Sequence, residues 1–244
     1  MFVLALDSTT RSGSHALVQD GVALAVGVGD ANRAHAERLP GDLITLLASQ
    51  GLGVRDIDLF AVAAGPGSFT GLRIGIASMQ GLAFAAGRPI VGVSALDAFA
   101  RSALPHLPAN TDHVGVWMDG QRGEVFAARY AVHREGDGAV TLEPAGEAVV
   151  GMPADIALQW AERGVCRAVF VGDGAVRFRD TIDGSEGLAA LVLDPVPSIA
   201  PDVAALAAER FAGGGTFHPH AIVPVYVRRP DVELARDRRA VRRA

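Results

Sequence analysis

Gly65-Pro66-Gly67-Ser68-Phe69-Thr70-Gly71-Leu72-Arg73 stands between an apolar run, Leu59 to Ala64, and a run of small and apolar residues, Leu72 to Ala86. The first run has the content of a buried strand and the second that of a helix. A glycine-rich turn between them aims backbone N–H groups at its mouth, and the positive end of the following helix adds to them. That is the geometry of a phosphate or carboxylate cradle. Gly and Pro also build ordinary tight turns, so the stretch by itself leaves both readings open.

Upstream, Phe2 to Asp7 reads as a buried strand, and His15 to Gln19 with Val22 to Val28 as a hairpin around Asp20-Gly21. Ala34 to Gln50 reads as an amphipathic helix with Leu39, Leu43, Leu46 and Leu47 on one face and a break near Pro40. Downstream of the glycine turn come a strand, Pro89 to Val93, and a helix from Ala95 to about Ala103. Strand, hairpin, helix, strand, helix is an α/β lobe on a mixed sheet.

Pro105 to Asn110 reads as a linker, dividing the chain into a lobe of residues 1–104 and a second of residues 105–244, whose last helix can fold back on the first lobe. In the second lobe, Val114 to Met118 and Glu124 to Ala131 form a hairpin about Asp119 to Gly123, and Glu135 to Gly138 is a polar loop. A helix follows from about Pro153 to Arg163. Ala168 to Val171 is a strand ending in the turn Gly172-Asp173-Gly174-Ala175, and a last helix spans Asp202 to Ala212.

The 22 basic side chains are all arginine. A Walker-type phosphate loop needs a lysine on the β- and γ-phosphates, and Gly71 is followed by Leu72 and Arg73. A P-loop NTPase and Schiff-base chemistry are both excluded. No stretch is apolar for the roughly 18 residues a membrane span requires, and the residues from Met1 to Asp7 lack the features of a signal sequence. A single cysteine, Cys166, forms no intrachain disulfide and is expected as a small core residue; a cytoplasmic setting fits. The net charge of −5 argues against a surface that binds nucleic acid throughout, although seven arginines crowd the stretch from Arg228 to Arg243 against Asp231, Glu233 and Asp237. Such a terminal run is expected to be a solvated tail that touches tRNA little.

Leu4 to Thr10, Gly65 to Gly75, Asp119 to Phe126, Gly172 to Ala175 and Pro224 to Arg228 resemble, in order and spacing, the bacterial tRNA threonylcarbamoyladenosine biosynthesis family TsaB, also called YeaZ-like. The resemblance implies two actin-like (ribonuclease H-like) lobes of the actin, sugar-kinase and heat-shock chaperone superfamily. It places Asp7, Ser8 and Thr9 at a first phosphate-facing hairpin, Gly65, Gly67, Ser68 and Gly71 in a second loop, and Gly172, Asp173 and Gly174 at an adenosine-side turn. ATP or ADP would lie near a partner interface, with no cofactor required. Without the resemblance, Asp7 to Thr10 reads as a strand-end turn whose hydroxyls cap local backbone. The family's usual Asp-Ala-Arg here reads Asp119-Gly120-Gln121, which removes a basic side chain at position 121 and leaves Arg122 beside it.

The related TsaD family is the catalytic transferase, and the resemblance implies that its metal-holding His-x-x-x-His pair corresponds to Ala95 and Phe99, neither of which ligates a metal. No other pair of the seven histidines replaces it: His35 is followed four residues on by Leu39, and His218-Pro219-His220 has an i, i+2 spacing. No metal site and no catalytic residue is therefore expected. Gly75, Ala77, Ser78, Gly81 and Ala85 give the helix after the glycine turn small side chains, at a cost of about 2 kcal/mol for its two interior glycines that close packing must offset. The packing partner lies either in the same lobe or on another chain. The resemblance implies the second, with His35, Leu39, Leu43, Leu72, Arg73, Gly75, Ser78 and Gly81 at an interface with TsaD that also serves a homodimer when TsaD is absent.

The function so implied is a non-catalytic scaffold supporting TsaD in transfer of the threonylcarbamoyl group to N6 of the adenosine next to the tRNA anticodon. TsaE is a further implied partner, and tRNA is met only through the complex. Two enzymatic readings stand beside it: a small kinase or ATPase of the same superfamily using Asp7, and a peptidase-like hydrolase, for which Gly92-Val93-Ser94-Ala95-Leu96 lacks the closing glycine of a nucleophile elbow.

Overall fold

The computed structural model describes residues 1–136, 138–215, 217, 218, 220 and 222–225. The arginine-rich tail and Tyr226 to Arg228, named above, lie outside the described residues. The first lobe runs β1 (Phe2–Asp7), β2 (Ser14–Gln19), β3 (Val22–Val28), α1 (His35–Ser49), β4 (Leu59–Ala63), α2 (Phe69–Ala86), β5 (Ile90–Val93) and α3 (Ala95–Ser102). Its sheet has the order β3-β2-β1-β4-β5, antiparallel through the hairpins and parallel from β1 to β5.

β4 is apolar along its whole length, and β1 up to Asp7, because both faces of these central strands are covered. Alternation divides them: Leu4, Leu6, Phe60 and Val62 pack under α1 and α2, whereas Val3, Ala5, Leu59, Ala61 and Ala63 face the opposite way, toward α7 (Ala200–Ala212). α1 continues through Pro40 without the expected break. Pro40 lies near the start of the helix on its exposed side, where the carbonyl that loses its donor is open to water.

The second lobe runs β6 (His113–Asp119), β7 (Val125–Arg134), β8 (Val140–Pro144), β9 (Val149–Gly151), α4 (Pro153–Glu162), β10 (Arg167–Val171), α5 (Asp173–Arg177), α6 (Arg179–Asp183), β11 (Ala189–Val192) and α7 (Ala200–Ala212). Its sheet order, β11-β10-β6-β7-β8 with β9 also on β7, repeats that of the first lobe strand for strand and in the same senses. β6 corresponds to β1 and β10 to β4, so Asp119 ends its strand as Asp7 does, and Gly172 follows β10 as the glycine turn follows β4.

Val114, Val116 and Met118 face the same central core as Val3 and Ala5, while Trp117 turns outward against Trp160 and Phe170, with ring centroids 6.0 and 5.3 Å away. α3 and α7 fill the layer between the sheets, and α7 lies across β1, β2, β4 and β5. The α/β expectation of two mixed sheets with flanking helices is met. Two local expectations are corrected. Cys166 is exposed: it precedes β10, and its carbonyl, not its side chain, is engaged, accepting from Ala189 N–H at 2.7 Å. Residues 173–177 form a short helix where a turn was expected.

Candidate functional site

Asp7 ends β1 and Ser8 and Thr9 follow it, all three buried. The Asp7 Oδ1 atom accepts from Thr9 N–H at 2.8 Å and from Thr9 Oγ1 at 2.6 Å. Burial pushes the Asp7 carboxyl up to about 6; the Thr9 donors oppose the shift and the charge of Asp173 adds to it. Ser8 Oγ donates to Gly71 O at 2.9 Å, and Ser68 N–H donates to Thr9 O at 2.9 Å.

The glycine turn meets this strand end directly. A Cβ on Gly67 would come to 2.5 Å from Thr9 Cβ, and one on Gly71 or Gly75 would overlap the Ser8 carbonyl or hydroxyl. On the other side, Val225 N–H donates to Ala64 O at 2.7 Å, and a Cβ on Gly65 would come to 2.5 Å from Val225 O. These glycines let chain segments approach one another. The Ser68 hydroxyl caps α2, accepting from Gly71 N–H at 3.3 Å. The turn that reads as an anion cradle is therefore packed against the Ser8–Thr9 backbone and Val225.

In the second lobe, Asp173 Oδ1 accepts from Asp119 N–H and from Gly174 N–H, each at 3.0 Å. Its carboxyl is raised, by burial first and then by the charge of Asp119. Gly172 and Gly174 lie against the backbone of Trp117 and Met118, as the first-lobe glycines lie against Ser8 and Thr9. Gln121 and Arg122 both take left-handed backbone angles, with φ of 63° and 55°. α5 supplies a cation at Asp119, where Arg177 Nη1 donates to Asp119 Oδ2 at 2.6 Å. Sequence reading missed that pair because its residues lie in different elements.

The proposed interface residues divide. Leu39, Leu43, Leu72 and Gly75 lie inside the first lobe, so their assignment to a subunit surface is corrected: Gly75 approaches Ser8 of its own lobe. His35 and Ser78 are half-buried, and Ser78 Oγ donates to Ile74 O at 2.8 Å. Arg73 and Gly81 are exposed; Arg73 lies over the Phe69 ring at 3.9 Å from its centroid.

The outer surface of α1 and α2 carries Pro40, Gly41, Ile44 and Ala48 on one stripe and Ala77, Gly81, Phe84 and Ala85 on the other. Ile44 is 49% and Phe84 69% exposed, and nothing lies within 4 Å of a Cβ built on Gly41 or Gly81. Ala95 and Phe99 are core residues of α3, and no cluster of three or more His, Cys, Asp or Glu able to hold a metal occurs among the described residues. No helix among them is long and apolar enough to cross a membrane.

Comparison with known proteins agrees with this architecture. The model of the TsaD family, described as tRNA N6-adenosine threonylcarbamoyltransferase, matches residues 28–208. The tRNA threonylcarbamoyladenosine biosynthesis protein TsaB of Escherichia coli is 32% identical over 233 residues, covering 93% of this chain and 95% of that protein. An uncharacterized protein of Mycobacterium tuberculosis is 34% identical over 233 residues, covering 95% of this chain and 93% of its own. The solved structure of YeaZ from Pseudomonas aeruginosa has a TM-score of 0.73 at 30% identity and covers 92% of this chain and 99% of that one. The chain belongs to the TsaB family of tRNA threonylcarbamoyladenosine biosynthesis proteins, within the wider group that the TsaD model describes.

Proposed function

We propose that this chain is a non-catalytic subunit that supports the transferase TsaD as it moves a threonylcarbamoyl group to N6 of the adenosine beside the tRNA anticodon. The observation that carries this reading is the outer surface of α1 and α2. Two stripes of small and apolar residues at helical spacing lie uncovered there, with open space above Gly41 and Gly81 where the backbone of a partner helix can approach. The packed glycine turn and the apolar Ala95 and Phe99 support a structural over a catalytic role. The same surface would serve a homodimer when the transferase is absent. TsaE would join through the complex, tRNA would be met there and not by this chain alone, and no cofactor of the chain's own is required.

Co-expression with the TsaD of the same organism, followed by mass measurement on the eluted complex, tests the reading. Ala77→Arg and Gly81→Leu leave an exposed site in the free chain and should keep its fold. On the complex, overpacking of this kind costs about 1–3 kcal/mol, or roughly five- to 150-fold in affinity. Association unchanged by both substitutions removes this surface from the interface.

A further inference from the structure

The corner where α1 meets the glycine turn is held by a buried polar chain. Arg38 is only 3% exposed although it is a cation. Its Nη1 donates to Asp42 Oδ2 at 2.9 Å, and its Nη2 donates to Ser12 O and, at 2.9 Å, to His35 Nδ1. His35 Nε2 lies 3.0 Å from Thr10 O. A guanidinium only donates, so Nδ1 must accept and the ring proton must sit on Nε2, where it donates to the Thr10 carbonyl. The ring also fills the space beside Gly13 and Gly71, where a Cβ would come to 3.3 and 3.2 Å from it. A Cβ on Gly29 would overlap the Arg38 guanidinium, which explains a glycine just beyond the end of β3.

We propose that His35, held as its Nε2–H tautomer between Thr10 and Arg38, is the positioning residue that fixes the first turn of α1 against residues 8–13 and the start of α2, and that its protonation releases this corner. A second proton on the ring would point Nδ1–H at the Arg38 guanidinium, replacing an accepted hydrogen bond by a clash of donors and of like charges. Burial holds His35 below the usual imidazole range, with Arg38 adding to the shift and the Thr10 bond opposing it.

The groups around the ring are few. Its own helix supplies Arg38 with Asp42 behind it, while Glu37 is exposed. The 8–13 turn supplies the Thr10 carbonyl; its Arg11 turns away to Ala31 O, and Asp7 is engaged by Thr9. α2 supplies Gly71, with Arg73 exposed. β2 supplies His15, which lies beneath Gly27 and feels Asp42 and Arg38, and the segment after β3 supplies Asp30 and Arg33 at the rim of the same groove. The native state thus binds fewer protons at His35 than the unfolded chain does. The stability it contributes is complete above the unfolded pKa of about 6.5 and is lost as pH falls from there through the lower folded value.

The consequence for docking rests on the function proposed above, because α1 forms half of that surface. The test uses the full chain labelled with nitrogen-15. At pH 7.5 the His35 ring should show a protonated Nε2 and a bare Nδ1; the opposite tautomer, or an imidazolium, overturns the proposal. Amide exchange at Gly13 and in the first turn of α1 should speed up as His35 titrates in the wild type and stay flat in His35→Gln, whose side-chain amide keeps a donor for Thr10 and an acceptor for Arg38. Equal acceleration in both proteins refutes the switch. His35→Phe keeps the ring volume without either bond and should bind the transferase about fivefold or more weakly even at pH 7.5, with His35→Gln restoring affinity. Affinity that responds to Ala77→Arg and not to His35→Phe refutes the positioning role. Affinity indifferent to both, with the tautomer and exchange pattern intact, refutes the docking surface and leaves the switch standing.

Discussion

Alanine at Gly75 and alanine at Gly81 should have opposite effects, although both glycines lie inside the same helix. At Gly81 nothing lies within 4 Å of the new Cβ, so the substitution only removes backbone freedom from the unfolded chain and raises helix propensity, a gain of about 1 kcal/mol. At Gly75 the new Cβ would overlap Ser8 Oγ and come to 2.9 Å from Ser8 Cβ, in a fully buried contact. The hydroxyl must leave, and with it the 2.9 Å bond to Gly71 O. Overpacking costs about 1–3 kcal/mol and the lost hydrogen bond about 1 kcal/mol, against a propensity gain of about 1 kcal/mol. The net loss is about 1–3 kcal/mol. In a chain of this size each kcal/mol moves Tm by about 2–4 °C, so Gly75→Ala should melt roughly 2–12 °C lower and Gly81→Ala roughly 2–4 °C higher. Thermal and urea unfolding followed by circular dichroism measures both. Adding Ser8→Ala to Gly75→Ala removes the overlapping oxygen and should recover part of the loss, giving a non-additive cycle. A neutral or stabilising Gly75→Ala would refute the placement of α2 on β1.

Asp7→Asn keeps an oxygen for both Thr9 donors and removes a buried charge. Because the Asp7 carboxyl is raised to about 6, the native state binds this proton more readily than the unfolded chain, and its contribution to stability is largest below the unfolded value and lost as pH rises through about 6. The asparagine variant should therefore be more stable by about 3 kcal/mol at pH 8, an advantage that shrinks toward pH 4, and pH-resolved urea titrations in which it shows no gain at pH 8 would contradict the desolvation account. Cys166, exposed before β10, should react with one equivalent of a thiol reagent in the folded protein at the rate of an open thiol; reaction only after unfolding would return it to the core.

Much of the fold was legible because its signals are local. The uninterrupted apolar runs of β1 and β4 and the Asp20-Gly21 hairpin gave strands within a residue or two of those observed. Less legible were elements whose residues are set by neighbours. β8, β9 and β11 are short and largely exposed, and α5 and α6 have five residues each, too few for a helical period to show. Cys166 was misplaced because a residue type's usual burial says nothing about one position beside a strand end. The glycine turn shows a different limit. Composition located the turn from Gly65 to Gly71 but could not tell whether the glycines make room for a ligand or for the chain, since both require a missing Cβ.

Both lobes use glycine where one chain segment passes close to another. Gly172 and Gly174 press on the backbone of Trp117 and Met118 within the last residues of β6, and Gly67 and Gly71 press on Ser8 and Thr9 just beyond the end of β1. In both lobes the chain leaves a parallel strand and must cross the end of its neighbour, and at the separation of adjacent strands a side chain there collides with backbone. The glycines answer that topological requirement first. Asp7 at the end of β1 and Asp173 at the start of α5 are buried carboxyls in opposite lobes, and the charge of Asp173 adds to the cost of ionising Asp7. Tyr130 on β7 works the other way, donating from the second lobe to Asp97 of α3 at 2.6 Å. With α3 and α7 packed between the sheets, the two lobes share one apolar core, and the outer faces of α1 and α2 lie on the side of the first sheet away from it.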